Sequence, residues 1–597
     1  MDTSIGHHFP IPDSRKRAFT EDGISREHTT IHKGPLPHVA YPSFTSTPGY
    51  SSVERPAHGY NAYTVKRAPI ESARPPVQLP SPIRLPPRAY NMLPQLETRP
   101  ISEEQLINEV RGIYAVLVMV EKKCVEVDQQ QANRKTELTD EQWQALIALH
   151  RTLLHEHHDF LLASQHPSAS PALQELASRY AMPARMWRHG IHSFLELLRH
   201  RLPDTLEYML AFICTAYSMM ALLVESVPSF EDTWIECLGD LARYRMAIEE
   251  VDRYDRDVWA GVAQYWYNKA ANKDPNVGRI QHHLAILARP NILKQLFYYV
   301  KSLVCIQPFP NTQDSIQLLF KPIMRTDSGQ EQHSYPPVLT AFVKCHGIFF
   351  TPGPLGPLIQ TGNEFMALLA SQISRVGSKF GEQGVYIASV NCGAMLGYGK
   401  EGAVLMEYFK KQCSQPEMDI TSKIKSTKDY WASAPLPCAP LGKSDLKDTD
   451  DFESFSYTTY LTFHVLSFVL RHIGNKNVMP HVHVSLVFLW NLALTPPAMK
   501  LVEMEIPWQK LVTFLNSLQQ PLEGSHWAPH LPEDRLIRGQ LWSSCYYRDG
   551  FFEQHSPSAD EDERFMDLPG MSVTRAERCR WLGHRLASVS IAPFASM

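Results

Sequence analysis

The side chains best placed for chemistry lie in two basic stretches. Between Leu176 and Pro203 the chain carries five arginines, three histidines and one acid, Glu196. Spaced at 100° per residue, Arg185, Arg188, His192 and Arg199 fall in one sector of a helix, opposite Trp187, Phe194 and Leu198. One face is expected to pack and the other to present positive charge. The second stretch, ECLGDLARYR at 236–245, sets Trp234, Leu238, Leu241 and Arg245 on one side of a helix and Glu236, Asp240 and Arg243 on the other. Arg245 is expected in the helix packing. Arg243 is expected to face away, where its planar fork matches two phosphate oxygens, although an intrahelical pair with Asp240 would also satisfy it.

Other chemistry is poorly supported. HEHHD at 155–159 lacks the four-residue histidine step of a zinc protease helix, and His150 and His155 improve the geometry little, so no metal site is expected. Neither a phosphate-cradling GxxxxGK[ST] loop nor a GxSxG elbow occurs, and the glycines of NCGAMLGYGKEG fit a loop. No cofactor and no catalysis are expected.

The elements that must position these arginines follow from composition and period. The chain has 597 residues, 44% apolar and 20% charged, with a net charge of -4. That balance excludes a broadly polycationic nucleic-acid binder and makes any basic site local. Ten scattered cysteines without a CxxC pair point to a reducing compartment. The apolar runs at 460–470 and 481–494 are shorter than a bilayer span, so they read as buried helices and no membrane partner is expected.

Residues 1–98 are rich in proline and lack a core-forming period, which predicts a disordered tail. From 99 to 322 the pattern is helical, with a Thr-Asp cap before EQWQAL and prolines near other helix starts. Ala263, Tyr267, Ala270 and Pro275, at steps of 4, 3 and 5, with Leu238–Gly239 upstream and Trp266 between them, fit a tetratricopeptide hairpin with an enlarged loop. A weaker unit follows at Leu284 and Ala285. Residues 323–597 read as a second helical region with a linker at about 420–452. The fold class expected is all-α.

CLGDLARYR, followed by YWYNKAANKDPNVGRIQHHLAILARPNILKQLFYYVKSL and PFP, strongly resembles the Ever-Shorter-Telomeres/Smg family of telomerase and nonsense-mediated decay adaptors. The Pro-rich start and LPEDRLIRG are similar to filamentous-fungal members. The resemblance implies a 14-3-3-like tetratricopeptide domain, a further helical region, and residence in nucleus and cytoplasm. It also implies a groove that binds a phosphoserine segment of the decay helicase through an arginine, here Arg243, and a lysine from an early helix. Aligned on Trp143, the lysine position holds Ala148, and the nearest cation is Arg151. The groove set expected is therefore Arg243, Arg151, Arg185 and Arg188. A telomerase subunit binding telomeric DNA or telomerase RNA is the alternative, and a plain helical scaffold a third. The metal-dependent nuclease domain that ends some relatives is not expected here.

Overall fold

The computed structural model describes residues 101–133, 138–249, 252–324, 335–351, 353, 356–413, 449–518, 530–547, 551–552 and 570–589. The tail at 1–98 lies outside them, as do residues 420–448 of the expected linker and the acidic run SADEDER. Residues 449–452 open a helix.

Among the described residues the fold is all-α, with two isolated bridges and no strand. The helices are α1 Glu103–Asn133, α2 Asp140–Ser164, α3 Pro171–Arg179, α4 Met182–Arg185, α5 Ser193–Arg199, α6 Leu206–Ser226, α7 Glu231–Ile248 and α8 Arg253–Lys273. There follow α9 Gly278–Leu287, α10 Ile292–Val304, α11 Thr312–Met324, α12 Pro337–Phe350, α13 Gly356–Val376, α14 Phe380–Met395 and α15 Val404–Cys413. The last six are α16 Thr449–Val469, α17 Met479–Ala493, α18 Pro496–Lys500, α19 Trp508–Asn516, α20 Pro532–Ile537 and α21 Met571–Ser588.

Local chemistry starts these helices. Thr139 and Gln142 form a reciprocal capping box at α2: the Gln142 amide donates to the Thr139 hydroxyl and the Thr139 amide to the Gln142 side chain. Asp252 accepts from the Tyr254 amide at 2.8 Å, and Asn291 from the Lys294 amide at 3.1 Å, satisfying donors that α8 and α10 would otherwise leave open.

Successive helices pair as hairpins, α1 on α2, α7 on α8, α9 on α10 and α12 on α13. The α7/α8 pair depends on Gly239. A Cβ there would sit 2.7 Å from the Tyr267 ring, so only glycine lets the two helices approach this closely. Ala263 and Tyr267 are fully buried against it. Trp234 is also buried and donates its indole N–H to the Val227 carbonyl at 3.1 Å, while the Trp266 indole donates to the Tyr217 hydroxyl at 2.8 Å.

One hydrophobic core extends from Ala242 to Val589 and runs across position 322, because α10 packs against both α9 and α14. The apolar runs noted at 460–470 and 481–494 are core elements of α16 and α17. Among the described residues, α6 is long and apolar enough to cross a membrane by length and composition. Its Met209, Phe212, Ile213 and Met220 are buried, and it packs on α2 and α7.

The segment LPEDRLIRG locks the two ends of the core together. Gly539 adopts φ +83°, and a Cβ on it would lie 2.0 Å from the Pro275 carbonyl oxygen at the end of the α7/α8 hairpin. Its own carbonyl accepts from the Ile306 amide at 3.2 Å, and Arg538 donates to the Asn272 carbonyl at 3.0 Å. Glu533 and Asp534 are buried and pair with Arg575 and Arg578 of α21, while His483 of α17 lies 3.0 Å from Glu533. Removing either partner of such a pair would strand a charge in the core.

Candidate anion-binding site

Helix α7 does not have one packed and one open face. The helices α6 and α8 cover it from two sides, so the side expected to carry Glu236, Asp240 and Arg243 outward lies against α8 and α9. Asp240 is 3% exposed. Tyr267 donates its hydroxyl to Asp240, Arg243 Nε donates to the Tyr267 oxygen at 3.1 Å, and a second Arg243 nitrogen donates to Asp240 at 3.3 Å. His283 approaches the same carboxylate at 3.4 Å, and Arg279 pairs with Glu236 at 2.7 Å. The helical wheel located the polar side correctly but not its surroundings, since in stacked hairpins a second helix covers what a lone amphipathic helix would expose. Arg243 keeps 22% of its side chain exposed. Its guanidinium lies 5.8 Å from the centre of the Tyr244 ring.

Tyr244 carries the connection to the other basic stretch. Its hydroxyl donates to Glu196 at 2.8 Å, and its ring stands edge-on to His192 at 6.4 Å. Arg199 grips the same carboxylate with both arms of its fork, one bond at 3.0 Å. Burial opposes ionisation of Glu196, but the bonds from Arg199 and Tyr244 and the charge of His192 hold its carboxyl below the ordinary value. Burial and then the Glu196 charge push the Tyr244 phenol up, so it stays a donor. Glu196 was conspicuous in the sequence as the single acid of its run. Tyr244 was missed as a functional group, although it directly follows Arg243 in ARYR.

The remaining expected groove residues are spread out. Residues Met186–His192 wind as a π-helix, with more residues per turn than the α-helix, so the 100° spacing that grouped Arg185 with Arg199 does not hold across them. Arg185 is drawn to α1, where it forms a two-bonded pair with Glu121 at 3.0 Å and lies over Tyr114. Arg188 is exposed. Arg151 is exposed on α2, and among the described residues neither it nor Arg188 has a carboxylate partner. Arg245 pairs with Glu249 at 2.7 Å and lies over Trp259, within the α7/α8 packing. His150 is buried between Asp128 at 3.1 Å and the Gly190 carbonyl at 3.0 Å, a core hydrogen-bond role. No His, Cys, Asp or Glu group suited to a metal ion occurs among the described residues.

A cavity of about 1030 Å³ is lined in part by Glu196. Trp143 and Tyr208 stack at 5.9 Å on its wall, and Arg201 lies over Trp143. Asp128, Asp140, Glu196 and Asp204 outnumber Arg201 and His200 there, so an anion is better served on the Tyr244 side.

Residues 263–379, from the second half of α8 to the end of α13, match the Est1 DNA/RNA binding domain. The chain is 26% identical to EST/SMG-like protein 2 of Saccharomyces cerevisiae over 221 residues, covering 36% of this chain and 18% of the relative. It is 35% identical over 91 residues to Telomerase-binding protein EST1A of Danio rerio, covering 15% of this chain and 6% of that protein. A third relative, Nonsense-mediated mRNA decay factor SMG7-like of Arabidopsis thaliana, is 34% identical over 87 residues, 14% of this chain and 10% of its own length. The alignments thus span less than a fifth of each relative. The matched domain and these relatives support the resemblance of the chain to the Ever-Shorter-Telomeres/Smg family.

Proposed function

We propose that the chain is a non-enzymatic adaptor, acting in mRNA surveillance in nucleus and cytoplasm, that binds a phosphoserine-bearing partner at the junction of α5 and α7. The observation that carries this is the seat of the Glu196 carboxylate. A planar anion is held by a neutral phenol and an arginine fork, with His192 beside it and Arg243 across the Tyr244 ring. A phosphoserine offers more charge and one more acceptor oxygen than a carboxylate. It would take the Tyr244 hydroxyl and the Arg199 fork as Glu196 turns aside, and Arg243 would add charge from the opposite face. The paired state of Arg243 fits a positioning part: Asp240 and Tyr267 fix its guanidinium next to Tyr244. Arg151, Arg185 and Arg188 would serve as outer contacts for the flanking peptide.

The matched DNA/RNA-binding domain and a telomerase-binding relative favour a second reading, a telomerase-associated protein that holds single-stranded telomeric DNA or telomerase RNA. A titration separates the two. A phosphoserine peptide, its unphosphorylated twin and a single-stranded oligonucleotide are each measured against wild type, Arg243→Glu and Tyr244→Phe. The adaptor reading expects phosphate-dependent peptide binding weakened by both substitutions. Equal affinity for the two peptides would reject it, and oligonucleotide binding with a steep salt slope would then favour the second.

A further inference from the structure

Two exposed cations, Arg471 and Lys510, lie far from α7 in sequence and beside α16. Ser456, Tyr460, His464, Ser467 and Arg471 recur at steps of 4, 4, 3 and 4, one face of α16 and of the turn that continues it. Tyr460 is 55% exposed and stacks on His464, ring centres 5.2 Å apart and planes 15° from parallel. Lys510 reaches across from α19 and donates to the Ser467 hydroxyl at 2.6 Å. Among the described residues Lys510 and Arg471 have no carboxylate partner, unlike Arg185, Arg243, Arg245 and Arg279. After burial, the charges of Lys510 and Arg471 are what lower His464 below its ordinary range, which reports their closeness to the ring stack.

We propose that this stripe is a contact surface for single-stranded nucleic acid, with one base stacked on Tyr460 and adjacent phosphates held by Lys510 and Arg471. An exposed, pre-stacked ring pair offers a π-face that any base can use, and unpaired cations beside it suit the backbone. From Tyr460 to Arg471 the track is about 16 Å at 1.5 Å per residue, room for a few nucleotides. A phosphopeptide would engage the cations but leave the ring platform idle. The chain's net charge of -4 confines such binding to a local patch. This surface lies outside the matched 263–379 segment and shares no residue with the α5/α7 site, so it extends the second reading above without depending on the first.

The test is fluorescence anisotropy of the full chain with labelled oligothymidylate and oligouridylate of about ten nucleotides, within the site sizes usual for such surfaces. Tyr460→Ala removes the platform, and Lys510→Glu with Arg471→Glu reverses the charge. Tyr460→Ala is expected to weaken binding roughly five-fold to a hundred-fold. The charge reversal is expected to weaken it further and to lower the slope of log K against log salt by about 1.4 or more, from two lost phosphate contacts. Circular dichroism melting confirms that each variant folds, and Tyr460→Leu, which keeps an apolar surface without a ring to stack, provides a second check. The proposal is overturned if the wild type does not bind either oligonucleotide, or if the folded variants bind as well as wild type. It is also overturned if the surface loses only phosphoserine-peptide binding. Failure of the peptide titration with Tyr460-dependent oligonucleotide binding intact would remove the adaptor reading and keep this one.

Discussion

If Glu196 fills the anion position from within the chain, removing its charge should tighten phosphopeptide binding. Glu196→Gln keeps the shape and one acceptor oxygen while cancelling the charge held by Tyr244 and Arg199. The Arg199 pair is 51% and 26% exposed on its two sides, so its Coulomb energy is discounted to at most about 1 kcal/mol. The Tyr244 bond, at 2.8 Å and half-buried, is a hydrogen bond to a charged acceptor and contributes about 1.5 to 3 kcal/mol. Part of that remains with glutamine, so the net release is about 1 to 2 kcal/mol. This corresponds to a roughly five-fold to thirty-fold tighter phosphoserine peptide, with the unphosphorylated twin unchanged. Calorimetric titration of both peptides against wild type and variant at one ionic strength reads it. Unchanged or weaker phosphopeptide binding by a folded Glu196→Gln chain would refute the reasoning, because Glu196 would then be neither a competitor nor a like charge at the site.

Three further outcomes follow from the packing. Gly239→Ala gains about 1 kcal/mol of helix propensity but forces a Cβ to 2.7 Å from the buried Tyr267 ring, so urea denaturation should show a net loss of about 1 to 2 kcal/mol; a stabilised variant would contradict the close crossing. Glu533→Gln leaves the buried Arg575 without its charge partner and should cost about 3 to 5 kcal/mol, measured the same way, whereas a loss below about 1 kcal/mol would mean that the pair is open to water. Burial holds His346 down to about 3 and His157 and His481 to about 4, against 6.5 when unfolded. The unfolded chain therefore binds more protons, so this stability is fully present above about pH 6.5 and is lost as pH falls toward 4, on the order of 3 kcal/mol per histidine. Glu533, held below its ordinary value by Arg575 and His483 against burial, adds a loss that begins only below about 4.5. Melting temperatures across pH 7 to 4 should fall from just below 6.5; a flat profile down to pH 5 would show that those histidines are not buried neutral.

Much of the helical layout was legible because its causes are local. The Thr139 cap, the apolar periods of α16 and α17, and the spacing of Gly239 and Tyr267 each state a short-range requirement. The surroundings of charged residues were less legible. Asp240 and Arg243 read as an outward face until the neighbouring hairpin covered them, and the π-helix at 186–192 broke the spacing on which the basic face rested. Pairing across helices, such as Arg185 with Glu121 over 64 positions, leaves no periodic trace in a sequence. The same holds for Lys510 beside Ser467, which only the fold brings to α16.

A crystal structure of the chain with a bound phosphoserine peptide tests the central claim most directly. The account predicts the phosphate within hydrogen-bond reach of the Tyr244 hydroxyl and the Arg199 fork, with Arg243 across the Tyr244 ring and the Glu196 carboxylate turned out of its present seat. A phosphate bound elsewhere, with Glu196 still joined to Tyr244 and Arg199, would contradict it.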